Sequence, residues 1–273
     1  KKRQNNEKNG DMSMADRFIT AMFLPGDYPL LLKLTLGKII SFIGMLILLV
    51  SLIQYGIPVL AAIAGYGGVG NYIINELPDF SLSNGVFKVS ERIESKNDDV
   101  GIYILVDTDV DRFTEDDISK DMTQVMLVGS TNIIMYNNIT GVSGLVQEQR
   151  FSDLGNISVN NESVAGMAPM IYFSMVVVFI MLYVFTLVRY LFSALFYALI
   201  MFVISRMMTG TVKFDSIYKI ALFAQTVGAI VSAVANFIGT PVFVMAGSTF
   251  AMIVTVLIMN RAFFKIMPPP RAL

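Results

Sequence analysis

Asp107-Thr108-Asp109-Val110-Asp111, followed closely by Glu115, Asp116 and Asp117, is the sharpest group of chemically capable side chains in this sequence. Carboxylates at alternate positions could coordinate a hard cation. An Asp-x-Asp pair behind an apolar strand could also supply a nucleophile and an acid/base. A standard EF-hand loop does not fit. With Asp107, Asp109 and Asp111 at positions one, three and five, position six would be Arg112 where glycine is required. Position twelve would be Ile118, where a bidentate glutamate belongs. Looser cation binding by Asp107, Asp109 and Asp111 stays open. In the phosphatase reading Asp107 attacks and Asp109 handles the proton, on a doubly wound sheet for which this segment is short. The preferred reading is structural: a strand ends here, and its carboxylates cap turns and the helix that follows. No catalytic, cofactor-binding or firm metal-binding residue is assigned, and no cofactor is expected.

Arg189 raises a different chemistry. It interrupts a long apolar run, and an ionisable side chain inside a membrane span is by default a functional hypothesis, because burying its charge is costly. Snorkelling, or a place at the membrane surface, would be the plain alternatives. Gln54, Gln225 and Asn236 also sit in apolar runs, where amides commonly bond helix to helix. With Arg189, Gln54 and Gln225 could instead line a path for a polar solute.

Composition narrows the remaining classes. Of 273 residues 55% are hydrophobic and only 15% charged, against roughly 25% charged in soluble domains. There is no Cys and no His, which removes disulfides, thiol chemistry and the commonest general base. The 18 Met residues read as gap-fillers without such partners. The net charge of -1 conceals sidedness. Residues 1–38 carry seven Lys/Arg against four Asp/Glu, whereas residues 72–169 carry six against sixteen. Such an acidic segment repels nucleic acid and anionic headgroups, so no nucleic-acid partner is expected. Lys and Arg next to membrane spans mark the cytoplasmic side. Arg206, Lys213, Lys219, Arg261, Lys265 and Arg271 therefore face inward, and the acidic segment outward.

The elements follow from hydrophobic run length. Residues 1–38 form a basic cytoplasmic segment, with Lys1 to Asp11 disordered and Met14 to Leu24 a short interfacial helix. The first long apolar run comes late and lacks a small-residue cleavage site, so no signal peptide is expected. Residues 39–64 make the first span, anchored by Lys33 and Lys38 and closed at Gly65-Tyr66-Gly67-Gly68. Residues 167–208 contain no Gly and no Pro beyond Pro169, so one long helix is preferred over two short spans turning near Arg189. Residues 215–264 form a helical hairpin turning at Gly239-Thr240-Pro241, and residues 265–273 a cytoplasmic tail. The fold class is an integral membrane α-helical bundle, with four spans preferred and five the alternative.

Residues 72–166 are expected to form a small α+β extracytoplasmic domain inserted after the first span. Asn84-Gly85 signals a hairpin between Phe80-Ser81-Leu82 and Val86-Phe87-Lys88-Val89. Val100 to Val106 reads as a buried strand, and Thr114 with Asp117 as a capping box opening a helix through Met122. Val125–Val128 and Ile133–Tyr136 flank a second turn at residues 129–132. The Asn-x-Ser/Thr triplets at Asn138, Asn156 and Asn161 would take glycans only in a eukaryotic secretory pathway.

Several stretches together resemble a known family. They are Leu30-Leu-Leu-Lys-Leu-Thr-Leu-Gly-Lys38, Leu77-Pro-Asp-Phe-Ser-Leu-Ser-Asn-Gly85, Ile104-Leu-Val-Asp-Thr108 and Val212-Lys-Phe-Asp-Ser-Ile-Tyr-Lys-Ile-Ala-Leu-Phe-Ala224. In this order they resemble a Gram-positive bacterial multi-pass membrane family of unknown function (domain of unknown function eleven-eighty-nine). Some of its members carry the label maltodextrin utilisation protein. The C-terminal helices alone are also distantly similar to Yip1-type helical membrane proteins. The family brings no catalytic residues. It implies a plasma-membrane protein that accompanies sugar uptake; the charge and span reading places both termini in the cytoplasm. The expected function is a non-enzymatic accessory, scaffold or sensor protein. Its expected partners are membrane lipid and another membrane protein, such as a sugar transporter, or a second copy. A small transporter or channel subunit using Arg189, Gln54 and Gln225 is the alternative.

Overall fold

The structure, a computed structural model, describes residues 12–98, 101–138, 144–208 and 212–266. Lys1 to Asp11, Val100, the Ser/Thr end of the Asn138 triplet and the tail from residue 267, with Arg271, lie outside the described residues. In chain order the helices and strands begin with α1 (Met14–Phe23), α2 (Leu36–Gly65) and α3 (Val69–Asn75). Eight strands follow: β1 (Phe80–Ser83), β2 (Val86–Val89), β3 (Ile93–Asn97), β4 (Ile102–Val106), β5 (Gln124–Val128), β6 (Asn132–Asn137), β7 (Leu145–Arg150) and β8 (Ser158–Asn160). The chain then forms α4 (Asn161–Gly166), α5 (Ala168–Met208), α6 (Phe214–Ile238) and α7 (Pro241–Ile266). It divides into a helical unit, residues 1–61 with 175–273, and a strand-rich unit, residues 62–174.

Four helices (α2, α5, α6 and α7) are long and apolar enough to cross a membrane. The 41 residues of α5 run as one helix, with no turn near Arg189. Nothing in its interior can break it, since Pro169 occupies the first turn, where the missing N–H costs no hydrogen bond. At 1.5 Å per residue α5 is about 60 Å long, twice a hydrocarbon core of roughly 30 Å. Its buried residues are Tyr190, Ala194, Ala198, Met201 and Ser205, a single stripe at helical spacing. The α6–α7 hairpin turns through Gly239 (φ 78°), whose N–H caps Ala235 O at 3.2 Å, and Pro241 opens α7.

The helical core gathers around α6. Phe18, Phe42 and Phe223 from α1, α2 and α6 form a tilted aromatic chain with centroids 4.7 and 5.0 Å apart. Ser13 caps α1 by accepting from Asp16 N at 3.2 Å. Arg17 is buried and donates to Met12 O at 2.9 Å and to Lys38 O at 3.1 Å, tying α1 to the start of α2. Thus α1 builds part of this core through Arg17, Thr20 and Ala21, leaving Ile19, Phe23 and Leu24 exposed. Small residues bring α6 against α7. A Cβ at Gly228 would meet Thr255 Oγ1 at 2.8 Å and Ala251 O at 2.9 Å.

The strand-rich unit holds two sheets. One is antiparallel with order β2-β1-β8, and the other has order β3-β4-β5-β6-β7, in which only β4 and β5 run parallel. Asn84 (φ 51°) and Gly85 (φ 75°) make the expected hairpin between β1 and β2. The second expected hairpin, β5 with β6, pairs Val128 with Ile133. The expected helix through Met122 stops short. Thr114 and Asp117 do form the capping box, but only a 3-10 turn, Glu115–Asp117, follows before Ile118 becomes extended. Ile118 (φ -79°, ψ 121°) leaves the turn in extended conformation, and its side chain is buried with that of Met122 in the core of this unit. Elements with weak sequence signals are α3, α4, β3, β7 and β8.

Candidate functional site: a polar cavity among the helices

Arg189, Gln54 and Gln225, widely separated in sequence, line one cavity of about 210 Å³ in the helical unit. Each helix contributes a polar stripe. From α5 come Arg189, Ser193 and Tyr197, four residues apart and hence on one face. From α6 come Gln225, Gly228, Ser232 and Asn236, again one helical face, and from α7 Ser248 and Thr255. The contribution of α2 depends on a defect in its winding. Leu52–Gly56 is a π-helical turn, and Gln54 and Tyr55 within it reach the cavity wall. Such turns insert an extra residue into the helix and re-aim the side chains beside it.

The polar groups on these walls fall into two sets. Several are satisfied within their own helix: Gln225 Nε2 donates to Ala221 O at 3.2 Å, and Asn236 Nδ2 to Ser232 O at 2.7 Å. Thr186 Oγ1 donates to Leu182 O at 2.8 Å, and Tyr190 Oη to Leu222 O on α6. Arg189 and Gln54 differ, having no hydrogen bond or ion pair with another described residue. Arg189 is exposed, near the middle of α5, and no acidic side chain is among those lining the cavity. The arrangement can therefore receive a small polar solute and offers it one full positive charge.

The acidic cluster is placed quite differently. Residues 107–123 cross from β4 to the parallel strand β5, and the loop is clamped to the β5–β6 turn. Asp107 N donates to Val128 O, and Ser130 N and Thr131 N donate to Val110 O and Asp111 O, each at 2.9 Å. Asp107 Oδ1 accepts from Asp109 N at 3.1 Å, and Asp111 Oδ1 accepts from Ser130 Oγ at 3.1 Å. Asn132, fully buried, holds Phe113 by both backbone groups, accepting from its N–H at 3.1 Å and donating to its C=O at 2.9 Å. Its amide also donates to Glu148 Oε1 at 3.0 Å. Glu148 in turn receives the Arg112 guanidinium through two bonds of 2.9 Å. That fork holds the Glu148 carboxyl below the usual range, aided by Asn132, and raises Arg112. Among the described residues no three acidic side chains are grouped to hold a metal ion. The sheet bearing Asp107 is mixed, not doubly wound.

Sequence reasoning grouped Arg189, Gln54 and Gln225 as the lining of a solute path, its alternative reading, and left out Ser193, Tyr197, Ser232, Ser248 and Thr255. A signal for them existed, since polar residues recur at helical spacing along α5 and α6. The π turn left none.

A bundle with four membrane-length apolar helices and a polar cavity among them is compatible with a membrane protein. The chain belongs to the DUF1189 family, described as a protein of unknown function, which it matches over residues 15–263. No curated protein and no solved structure matches it.

Proposed function

We propose that this protein is a non-enzymatic accessory or sensor subunit of the bacterial plasma membrane that holds a small polar ligand among its helices. The observation that carries this reading is the convergence of Arg189, Gln54 and Gln225 on one cavity. Two of the three have no partner there, so a ligand would supply what the fold leaves open. Charge sidedness supports a topology with both termini cytoplasmic and residues 72–166 outside. The largely unburied apolar surface of α5, including Met181, Phe185, Phe192 and Phe196, suits contact with membrane lipid.

A cavity of about 210 Å³ is smaller than the roughly 300–1,000 Å³ of pockets for drug-sized ligands. Any role in maltodextrin uptake would therefore run through a partner transporter, not through an oligosaccharide bound here. Affinity purification of the intact protein from its native membrane, with mass spectrometry, tests the accessory role. A transporter or signalling protein in stoichiometric amount is the expected result; the protein alone, as monomer or homo-oligomer, counts against it.

Transport through the bundle is the second reading, favoured by the same cavity being lined by all four long helices. It requires solute flux in proteoliposomes that Arg189→Gln abolishes while folding is retained.

A further inference from the structure

We infer that the ligand of this cavity is a small anion, a carboxylate or a phosphate group, bound by the guanidinium of Arg189. The inference rests on the cavity reading above and adds the ligand's charge and chemistry.

Arginine is permanently protonated, with five N–H donors and no acceptor. In an apolar helix such a group calls for acceptors and a countercharge, and the cavity supplies neither in full. No lining residue is acidic. Asp215, on α6, is already paired with Lys219 at 2.8 Å. The carbonyls that lining side chains engage, those of Ala221, Ser232, Leu182 and Leu222, already have a donor in place. The unpartnered amide of Gln54 and the hydroxyls of Tyr55, Ser193 and Tyr197, on the same wall, can each donate or accept. One fixed cation among neutral groups that are able to donate, without a lining carboxylate, favours negative charge. A guanidinium fork matches a carboxylate or phosphate through two parallel bonds, and Gln54 can add a third. A phosphate could come from solution or from the headgroup of an anionic lipid, since the recognition chemistry is shared.

The absence of Trp from the chain permits a clean test. Phe185, which lines the cavity, is replaced by Trp in the whole 273-residue chain, reconstituted in nanodiscs of zwitterionic lipid. Inorganic phosphate is titrated at an ionic strength held with a bulky sulfonate. A saturable change in emission is expected, with affinity about tenfold weaker or worse in Arg189→Gln, as loss of a charged hydrogen-bonding partner implies. Gln54→Leu, which keeps the charge, should weaken it less; this variant keeps the test open if Arg189→Gln does not fold. If phosphate is silent but phosphatidylglycerol discs shift the emission in an Arg189-dependent way, the headgroup is the source and the inference stands. Equal responses to glycerol or glucose with and without the Arg189→Gln substitution, and none to phosphate, would overturn the anion while leaving the cavity reading intact. No response to any probe overturns both.

Discussion

Gln54 and Gln225 line the same cavity in opposite states: Gln225 donates to Ala221 O at 3.2 Å within its own helix, whereas Gln54 has no partner among the described residues. The difference lies in the backbone beneath them. Gln225 sits on regular α-helix, where the carbonyl four residues back is in reach. Gln54 sits in a π turn that aims it into the cavity.

Deleting Ile53 should convert that turn to plain α-helix. Residues on either side would keep their faces, because the π turn absorbs one extra residue, and only the side chains within the turn, Gln54 and Tyr55, would be re-aimed. The variant is expected to stay folded, because regular helix is at least as well hydrogen-bonded, but to lose cavity binding. Retained emission changes from the tryptophan reporter introduced by Phe185→Trp would show that the π turn does not position Gln54.

Close approach of α6 and α7 should depend on Gly228. Leucine there would have its Cβ at 2.8 Å from Thr255 Oγ1, so the helices must part. Overpacking of this kind typically costs about 1–3 kcal/mol. A lowered melting temperature in detergent is expected for Gly228→Leu, and a smaller fall for Gly228→Ala.

Asn132 should be the least replaceable polar residue of the strand-rich unit. Asn132→Leu removes the partners of both Phe113 backbone groups, and each unsatisfied buried group costs about 1–3 kcal/mol. The loss should appear in the infrared amide band of the sheets, measured on the full chain, with the helical band unchanged.

The Arg112–Glu148 fork predicts acid sensitivity. The Glu148 pKa is depressed in the folded state, so its contribution to stability is present above the unfolded value of about 4.3 and is lost as pH falls through the lower folded value. Arg112, raised, contributes throughout the range below its ordinary pKa and adds no transition at acid pH. Sheet melting followed from neutral pH to about pH 3 should fall less steeply in Arg112→Gln, which removes the main cause of the depression. Equal slopes would contradict the assignment.

Legibility in the sequence followed the strength of local rules. The unbroken helix α5 could be read because nothing between Tyr172 and Met208 can turn a chain, and the β1–β2 hairpin because Asn84-Gly85 supplies two positive φ angles. Edge strands β3 and β7 were hidden. Ile93-Glu94-Ser95-Lys96-Asn97 and the charged end of Leu145–Arg150 lack apolar alternation, since an edge strand need not bury both faces. The capping box marked the start of a turn correctly, but capping says nothing about length. Arg189, Gln54 and Gln225 were conspicuous one by one as polar groups in apolar runs. Polarity alone was enough to group them on one path, but the wall they share with Ser193, Tyr197, Ser232, Ser248 and Thr255 was not legible, because it depends on how four helices pack and on one π turn.

The most direct test uses the absence of cysteine from the chain. Gln54→Cys introduces a single thiol at the cavity wall, to be modified in membranes by water-borne methanethiosulfonates of opposite charge. The account predicts that the thiol reacts, faster with the anionic reagent than with the cationic one, and that Arg189→Gln removes the preference. An unreactive thiol, or equal rates for both charges with Arg189 in place, would contradict a polar, anion-attracting cavity among the helices.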